Sequence, residues 1–495
     1  MKNIFKITYS FAIISILSMA VVSCDMDKYP SGSLGTDKVK WDTVDDVQKF
    51  RTGVYSLFQS INGGLYSTSA DYQSDLFNAT IGFGNNGGDL YRWDFTSGQA
   101  DIEKIWKDNY RCIVNLNNLL TNIDRVKTSD EDEINFIKNT KGETYLMRAI
   151  CYHNLVIRFA KDYEPSTASK ELGLPLIIEY NVEGKPSRST LEETYKLIKE
   201  DITEARKLIV SKGKQDAIYL SQSAADLFEA RVNLYMHDYS NAIRLASKLK
   251  DSYPLVSTEK QLENLWLNDT GSEIIFKAFS SKDERANEMD SFLNFNVSVK
   301  AFSPEFMPSL KVVNLYADSD IRKNVFLRKD IVQSQDERVD ELFLLNKYPG
   351  NPSLLKKPYE YFNMIKVFRV SEAYLIAAEA SFLNGDMAAS AKWLNDLKVA
   401  RGANPINTSG EELFSEIQDE WIREYVGEGM RLDQLKRWHL GLERKNEEVQ
   451  DTNILIVAPG YSELKVESDD VRFVWEIPVN DLEANTNLVP NWSTK

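Results

Sequence analysis

Five stretches of this chain repeat apolar residues at three- and four-residue steps, and that period commits much of it to helix. In "WKDNYRCIVNLNNLL" the repeating residues are Trp106, Tyr110, Ile113, Leu116 and Leu120. "ETYLMRAICYHNLVIRFA" and "YKLIKEDITEARKLI" behave the same way. "FEARVNLYMHDYSNAIRLASKL" and "YLIAAEASFLNGDMAASAKWLNDL" add a second feature. Each reads as a helix, a short turn around Asp238 or Gly385 and Asp386, then a second helix rich in small residues. Small side chains let two helices approach closely, as in tetratricopeptide-type hairpins. The two copies are too degenerate and too far apart for a simple solenoid. The expected fold class is mainly α, with tetratricopeptide-like helix hairpins plus loop-rich insertions.

Between the helical blocks, residues 61–100, 161–190, 255–365 and 446–495 hold much of the Gly, Pro and Asn. Long irregular stretches inside a compact domain tend to be functional surfaces. The body is expected to span 41–495: an N-terminal helical part (41–254), a loop-rich insertion (255–365), a C-terminal helical repeat (366–445) and an irregular C-terminal segment (446–495).

The first residues have a separate purpose. Lys2 and Lys6 precede an uncharged run from Phe11 to Val22, the layout of a secretory signal. The run is too short for a comfortable membrane span, which takes about 20 apolar residues. Val21, Val22 and Ser23 lead straight into Cys24, which resembles a bacterial lipobox. Residues 1–23 are therefore expected to be a lipoprotein signal peptide, Cys24 the lipidation site, and 24–40 a tether carrying Pro30, Gly32 and Gly35. Cys112 and Cys151 sit in helix-like runs and read as small core residues rather than as a disulfide framework.

Deleting residues 1–23 removes two lysines and no acids, moving the formal net charge from −15 to −17. That balance argues against a nucleic-acid partner. "GFGNNG" at 82–87 formally matches a dinucleotide fingerprint, but "LYRWDF" after it reads as loop or strand, not as the required helix. The three histidines, His153, His237 and His439, are far apart in sequence and lack zinc-site spacing, so no metal site and no cofactor is expected. Glu420, Glu424 and Glu428 recur every four residues on one expected helix, among Arg423, Arg431 and Arg437. They read as salt-bridge partners rather than as paired catalytic acids. No reaction centre is visible.

Six marks then converge: the lipobox cysteine; Trp106, Tyr110, Ile113 and Asn117 as W-x-x-x-Y-x-x-I-x-x-x-N; "RAICYHNLVIRFA"; "RVSEAYLIAAEA"; "REYVGEGMRLDQLKRW"; and the closing "WEIPVNDLEANTNLVPNW". Together they resemble the SusD/RagB family of outer-membrane nutrient-binding lipoproteins of Bacteroidetes. The resemblance implies a SusD-like α-helical fold on the outer membrane, lipid-anchored and facing the exterior. It implies a non-enzymatic protein that captures an oligosaccharide for a SusC-like TonB-dependent barrel; the alternative is an oligopeptide, as in a RagB-like system. It also implies that Glu372, Glu379, Arg401, Glu428 and Arg431 are scaffold ion pairs rather than ligand contacts.

Ligand sites vary within the family, so candidates come from chemistry. Sugar rings offer apolar C–H faces to aromatic planes, and their hydroxyls need amide and carboxylate partners. "NATIGFGNNGGDLYRWDF" carries both sets: Phe83, Tyr91 and Trp93 with Asn78, Asn85, Asn86 and Asp89. Tyr91 and Trp93 read equally as core strand residues. A second candidate, "FLNFNVSVKAF", carries Phe292, Phe295 and Phe302 in an alternation that suggests a strand. Peptide binding would rest instead on Asp75, Asp89 and Arg92.

Overall fold

Helix ends are set by local side chains. Thr190 opens the Leu191–Leu208 helix with a capping box: its hydroxyl accepts from the Glu193 N–H while the Glu193 carboxylate accepts from the Thr190 N–H. Thr43 and Asp46 do the same for Val44–Ile61. The computed structural model describes residues 40–492 except 182 and 287, so Cys24, the signal peptide and nearly all of the tether lie outside the described residues. From Asp42 onward the chain forms one compact unit. No helix among the described residues is long and apolar enough to cross a membrane.

The longest helix, Glu131–Phe159, carries every residue from Leu146 to Phe159 buried. That C-terminal half, buried on all sides, is a core element, while the first turns from Glu131 to Asn139 face solvent in large part. The helix packs against Ala100–Asn122, Leu191–Leu208 and Val44–Ile61. Cys112 and Cys151 face this interior as buried free thiols, and burial raises the Cys151 thiol well above its ordinary value.

Both expected hairpins form. Gln222–Tyr235 turns into Tyr239–Ser247 at Asp238, and Val370–Leu383 turns into Met387–Ala400 at Gly385 and Asp386. Asp238 and Asp386 cap the second helices, each accepting an amide through its carboxylate. Far apart in sequence, the hairpins pack on each other through Val370–Leu383. Ala242, Ala246, Ala373 and Ala377 are buried, and Ser390 Oγ donates to the Ala378 carbonyl at 2.8 Å. Small residues make that approach possible.

Two expectations need correction. The 255–365 stretch is not structureless: it holds the whole of a four-stranded sheet ordered Phe295–Asn296, Ala301–Phe302, Leu327–Ser334 and Glu337–Leu345. The long Leu327–Ser334 and Glu337–Leu345 pair hid behind charged residues on its exposed face. Nor is "REYVGEGMRLDQLKRW" one helix. Glu411–Tyr425 ends before Gly427 and Gly429, whose left-handed φ values of 77° and 74° turn the chain into Arg431–Arg437.

That turn changes the partners of its acids. Glu424 is fully buried and accepts from Arg369 at 2.7 Å, Arg401 at 2.8 Å and Arg322 at 3.2 Å. Arg401 also binds Glu273, and Glu420 accepts from Arg322 and Arg423. Glu428 accepts from Lys347 and Arg369. Glu372 pairs with Arg231, Glu379 with Arg437, and Arg431 with Asp75. The ion-pair reading holds, but most partners come from other segments, not from neighbouring turns.

Candidate functional site

The two candidate segments meet. Phe77–Ala79 pairs antiparallel with Phe306–Pro308, Thr80 N–H donates to the Glu305 carbonyl at 2.9 Å, and the Asn86 amide bonds the Glu305 carboxylate. The Gly82 N–H donates to Ser334 Oγ at 2.8 Å, tying the loop to the turn of the long strand pair. Loop 80–89, the 295–302 hairpin and the 334–337 turn thus share one surface.

Beneath it, most of the expected stacking rings are core, which corrects the sequence reading. Trp93 is 1% exposed; its indole N–H donates to the Gln73 carbonyl at 2.9 Å and its ring meets Phe473 at 4.7 Å. Tyr91 is fully buried: its hydroxyl accepts from the Ala79 N–H, and the Arg444 guanidinium lies 3.8 Å over its ring. Phe83 is buried edge-on against Phe306 and Tyr461. Phe292 packs on Phe77 at 4.7 Å, and Phe302 is buried under Phe295. Asn78 is buried and donates to the Glu448 carbonyl at 3.3 Å. A ring with both faces packed cannot offer one to a ligand, and these side chains stabilise the loop instead. The segment after "GFGNNG" is a single helical turn, Gly88–Tyr91, not an extended strand.

What reaches solvent is a polar patch beside an aromatic one. Asn85 and Asn86 are exposed and Asp89 is half-buried. Arg92 organises them, donating to Asn85 Oδ1 at 2.7 Å, Asp89 Oδ1 at 2.8 Å and the Tyr461 hydroxyl at 3.0 Å. Burial raises the Glu305 carboxyl above its ordinary value, and the Asn86 amide opposes that shift. Phe295, half-buried, leans on Tyr359, with ring centroids 4.5 Å apart and planes 31° apart. Tyr359 is 54% exposed and has a left-handed φ of 63°. The Glu360 carboxylate shapes its loop by accepting the Lys356 and Lys357 amides at 2.7 and 3.0 Å. Those bonds hold Glu360 below the ordinary carboxylate range.

Sequence reasoning missed Tyr359 and Tyr461. The available signal for Tyr359 was "KKPYEYF", a tyrosine directly after proline in a charged stretch. For the peptide reading, Asp75 is unavailable: it is buried and paired with Arg431 and Lys311. Asp89 and Arg92 are accessible but already paired with each other.

Comparison with known proteins follows the same lines. Residues 26–234 match a family model described as SusD-like, starch-binding and associating with the outer membrane. Residues 330–492 match the SusD family model, SusD_RagB. A SusD superfamily protein from Bacteroides thetaiotaomicron is 25% identical, with a TM-score of 0.76 over 91% of this chain and all of that one. A SusD superfamily protein from Bacteroides vulgatus is 23% identical, with a TM-score of 0.72 over 92% of this chain and all of that one. A SusD-like carbohydrate binding protein from Bacteroides vulgatus is 20% identical, with a TM-score of 0.73 over 90% of this chain and 97% of that one. A search of curated protein sequences finds no match. Helical frame, packed hairpins and two family models agree: the chain belongs to the SusD/RagB family.

Proposed function

We propose that this protein is a surface-exposed, lipid-anchored glycan-binding protein that captures an oligosaccharide and delivers it, without chemistry of its own, to a SusC-like TonB-dependent transporter. The observation that carries the reading is the Phe295–Tyr359 platform, an exposed aromatic face on the sheet whose Ser334 holds the loop bearing Asn85, Asn86 and Asp89. An apolar face beside amides and carboxylates suits a sugar, whose C–H face stacks while its hydroxyls hydrogen-bond. The family model's description and the carbohydrate-binding relative support the same class of ligand. Capture of an oligopeptide has less support, because Asp75 is consumed in the scaffold and Arg92 and Asp89 satisfy each other.

The test is a panel of glycans and peptides titrated calorimetrically against the unacylated protein, with Tyr359→Ala in parallel. Loss of a stacking ring should weaken glycan binding at least about tenfold, since hot-spot aromatics carry about 2 kcal/mol or more and 1.4 kcal/mol is one decade. Melting should not change, because Tyr359 is exposed. Saturable binding of peptides with no glycan bound would transfer the protein to the alternative.

A further inference from the structure

One of the three histidines meets acids that the sequence keeps far away. His439 lies just past the Arg431–Arg437 helix, while Asp162 and Glu164 lie just past Glu131–Phe159. His439 Nε2 stands 3.3 Å from Glu164 Oε1 and 4.0 Å from Asp162 Oδ2, and all three ligand atoms fall within 4.8 Å of one another. They form the one such group among the described residues. Glu164 and His439 border a groove of about 250 Å³ that His237 also lines.

The second observation concerns Asp162. Its side chain is only 7% exposed, yet Oδ2 has no hydrogen-bond partner. The nearby cations are committed elsewhere. The Lys436 ammonium donates to the Ile157 and Ala160 carbonyls, Arg437 is held by Glu379, and Lys161 pairs with Glu171 at 2.9 Å. A buried carboxylate oxygen without a partner is costly. This one faces the His439 imidazole at 4.0 Å and lies within 4.8 Å of the Glu164 carboxylate.

We infer that Asp162, Glu164 and His439 form a binding site for a first-row divalent transition metal such as Zn²⁺, joining the C-terminal ends of the Glu131–Phe159 and Arg431–Arg437 helices. Two carboxylates and one imidazole suit zinc, which takes N and O ligands at about 2.0–2.2 Å and so sets neighbouring ligands about 3.3–3.6 Å apart in a tetrahedron. The His439–Glu164 separation already fits. His439 is 64% exposed and Glu164 41%, so side-chain rotation closes the gap to Asp162. Calcium, which takes six to eight oxygens, and magnesium, which keeps an oxygen shell, fit an imidazole-bearing trio poorly. The fourth position is open to solvent along the groove.

The full mature chain, unacylated and stripped with chelator, is titrated with zinc chloride and separately with cobalt(II). One zinc should bind with micromolar affinity or better, and cobalt should give visible d–d bands of a four- or five-coordinate N/O site. His439→Ala, a change at an exposed position, should weaken zinc binding at least about tenfold and remove the cobalt bands, with the metal-free melting temperature unchanged. Glu164→Gln should weaken binding in the same direction. Absence of saturable zinc binding up to about 100 µM, or binding unchanged in His439→Ala, would overturn the assignment.

Discussion

At the residue scale, burial decides what a side chain is for. Trp93 and Tyr359 are both aromatics in irregular segments, yet one is packed on all sides and the other is open. Trp93→Ala should therefore destabilise the fold by about 3–5 kcal/mol, as for other buried tryptophans. The fraction that stays folded should bind ligand with unchanged affinity, as melting and titration on the same sample would show. His153 makes a different case. Neither ring nitrogen has a hydrogen-bond partner, and Tyr195, Phe228 and Tyr235 surround it edge-on. Burial first, then the Arg231 charge, pushes its pKa well below the ordinary 6.5. Below that value the unfolded chain takes up a proton that the folded chain refuses, so stability falls as pH drops. His153→Leu should remove this dependence: relative to the variant, the wild type should lose about 1 kcal/mol of stability between pH 6.5 and 5.5, measured by denaturant unfolding.

At the scale of elements, the turn between Glu411–Tyr425 and Arg431–Arg437 tolerates no side chain at its second glycine. Gly429 donates its N–H to Asp71, and its carbonyl accepts from Arg158. A Cβ there would lie 2.4 Å from the Ser67 Cα and 2.8 Å from the Ser67 carbonyl oxygen, and its φ is left-handed. Neither clash can be relieved by rotating a side chain. Gly429→Ala should cost at least about 2 kcal/mol of stability in equilibrium unfolding. Gly385→Ala is the contrast: its φ is also left-handed, at 85°, but nothing lies within 4 Å of the new Cβ. Only backbone strain remains, so its penalty should be the smaller of the two.

At the scale of the whole molecule, the proposed lipid attachment would be separate from folding. Cys24→Ala should release the protein from the membrane, because lipid addition rather than a spanning helix would hold it there. The released form should melt as the unacylated body does. A mutant still bound after a carbonate wash would contradict the lipobox reading.

Periodicity was legible because it is local: a 3.6-residue repeat marks a helix whatever its partner, and Asp238 and Asp386 mark turns by capping the next helix. The six family marks likewise lie in short windows. The ion pairs were legible as a type but not in their partners, because Glu424 meets Arg322, Arg369 and Arg401 only after distant segments pack. The polar half of the candidate surface was legible, since Asn85, Asn86 and Asp89 sit where loop chemistry suggests. Its aromatic half was not, because an aromatic residue reads alike in sequence whether its faces are packed or free. Phe306 covers Tyr91 and Phe83, whereas no neighbour covers the outer face of Tyr359. The meeting of His439 with Asp162 and Glu164 belongs to the same class. Helices and caps follow from interactions within a few residues, so sequence alone determined them. Which ring is open, which charge is paired and which acids converge depend on contacts across hundreds of residues, and only the tertiary structure decided those.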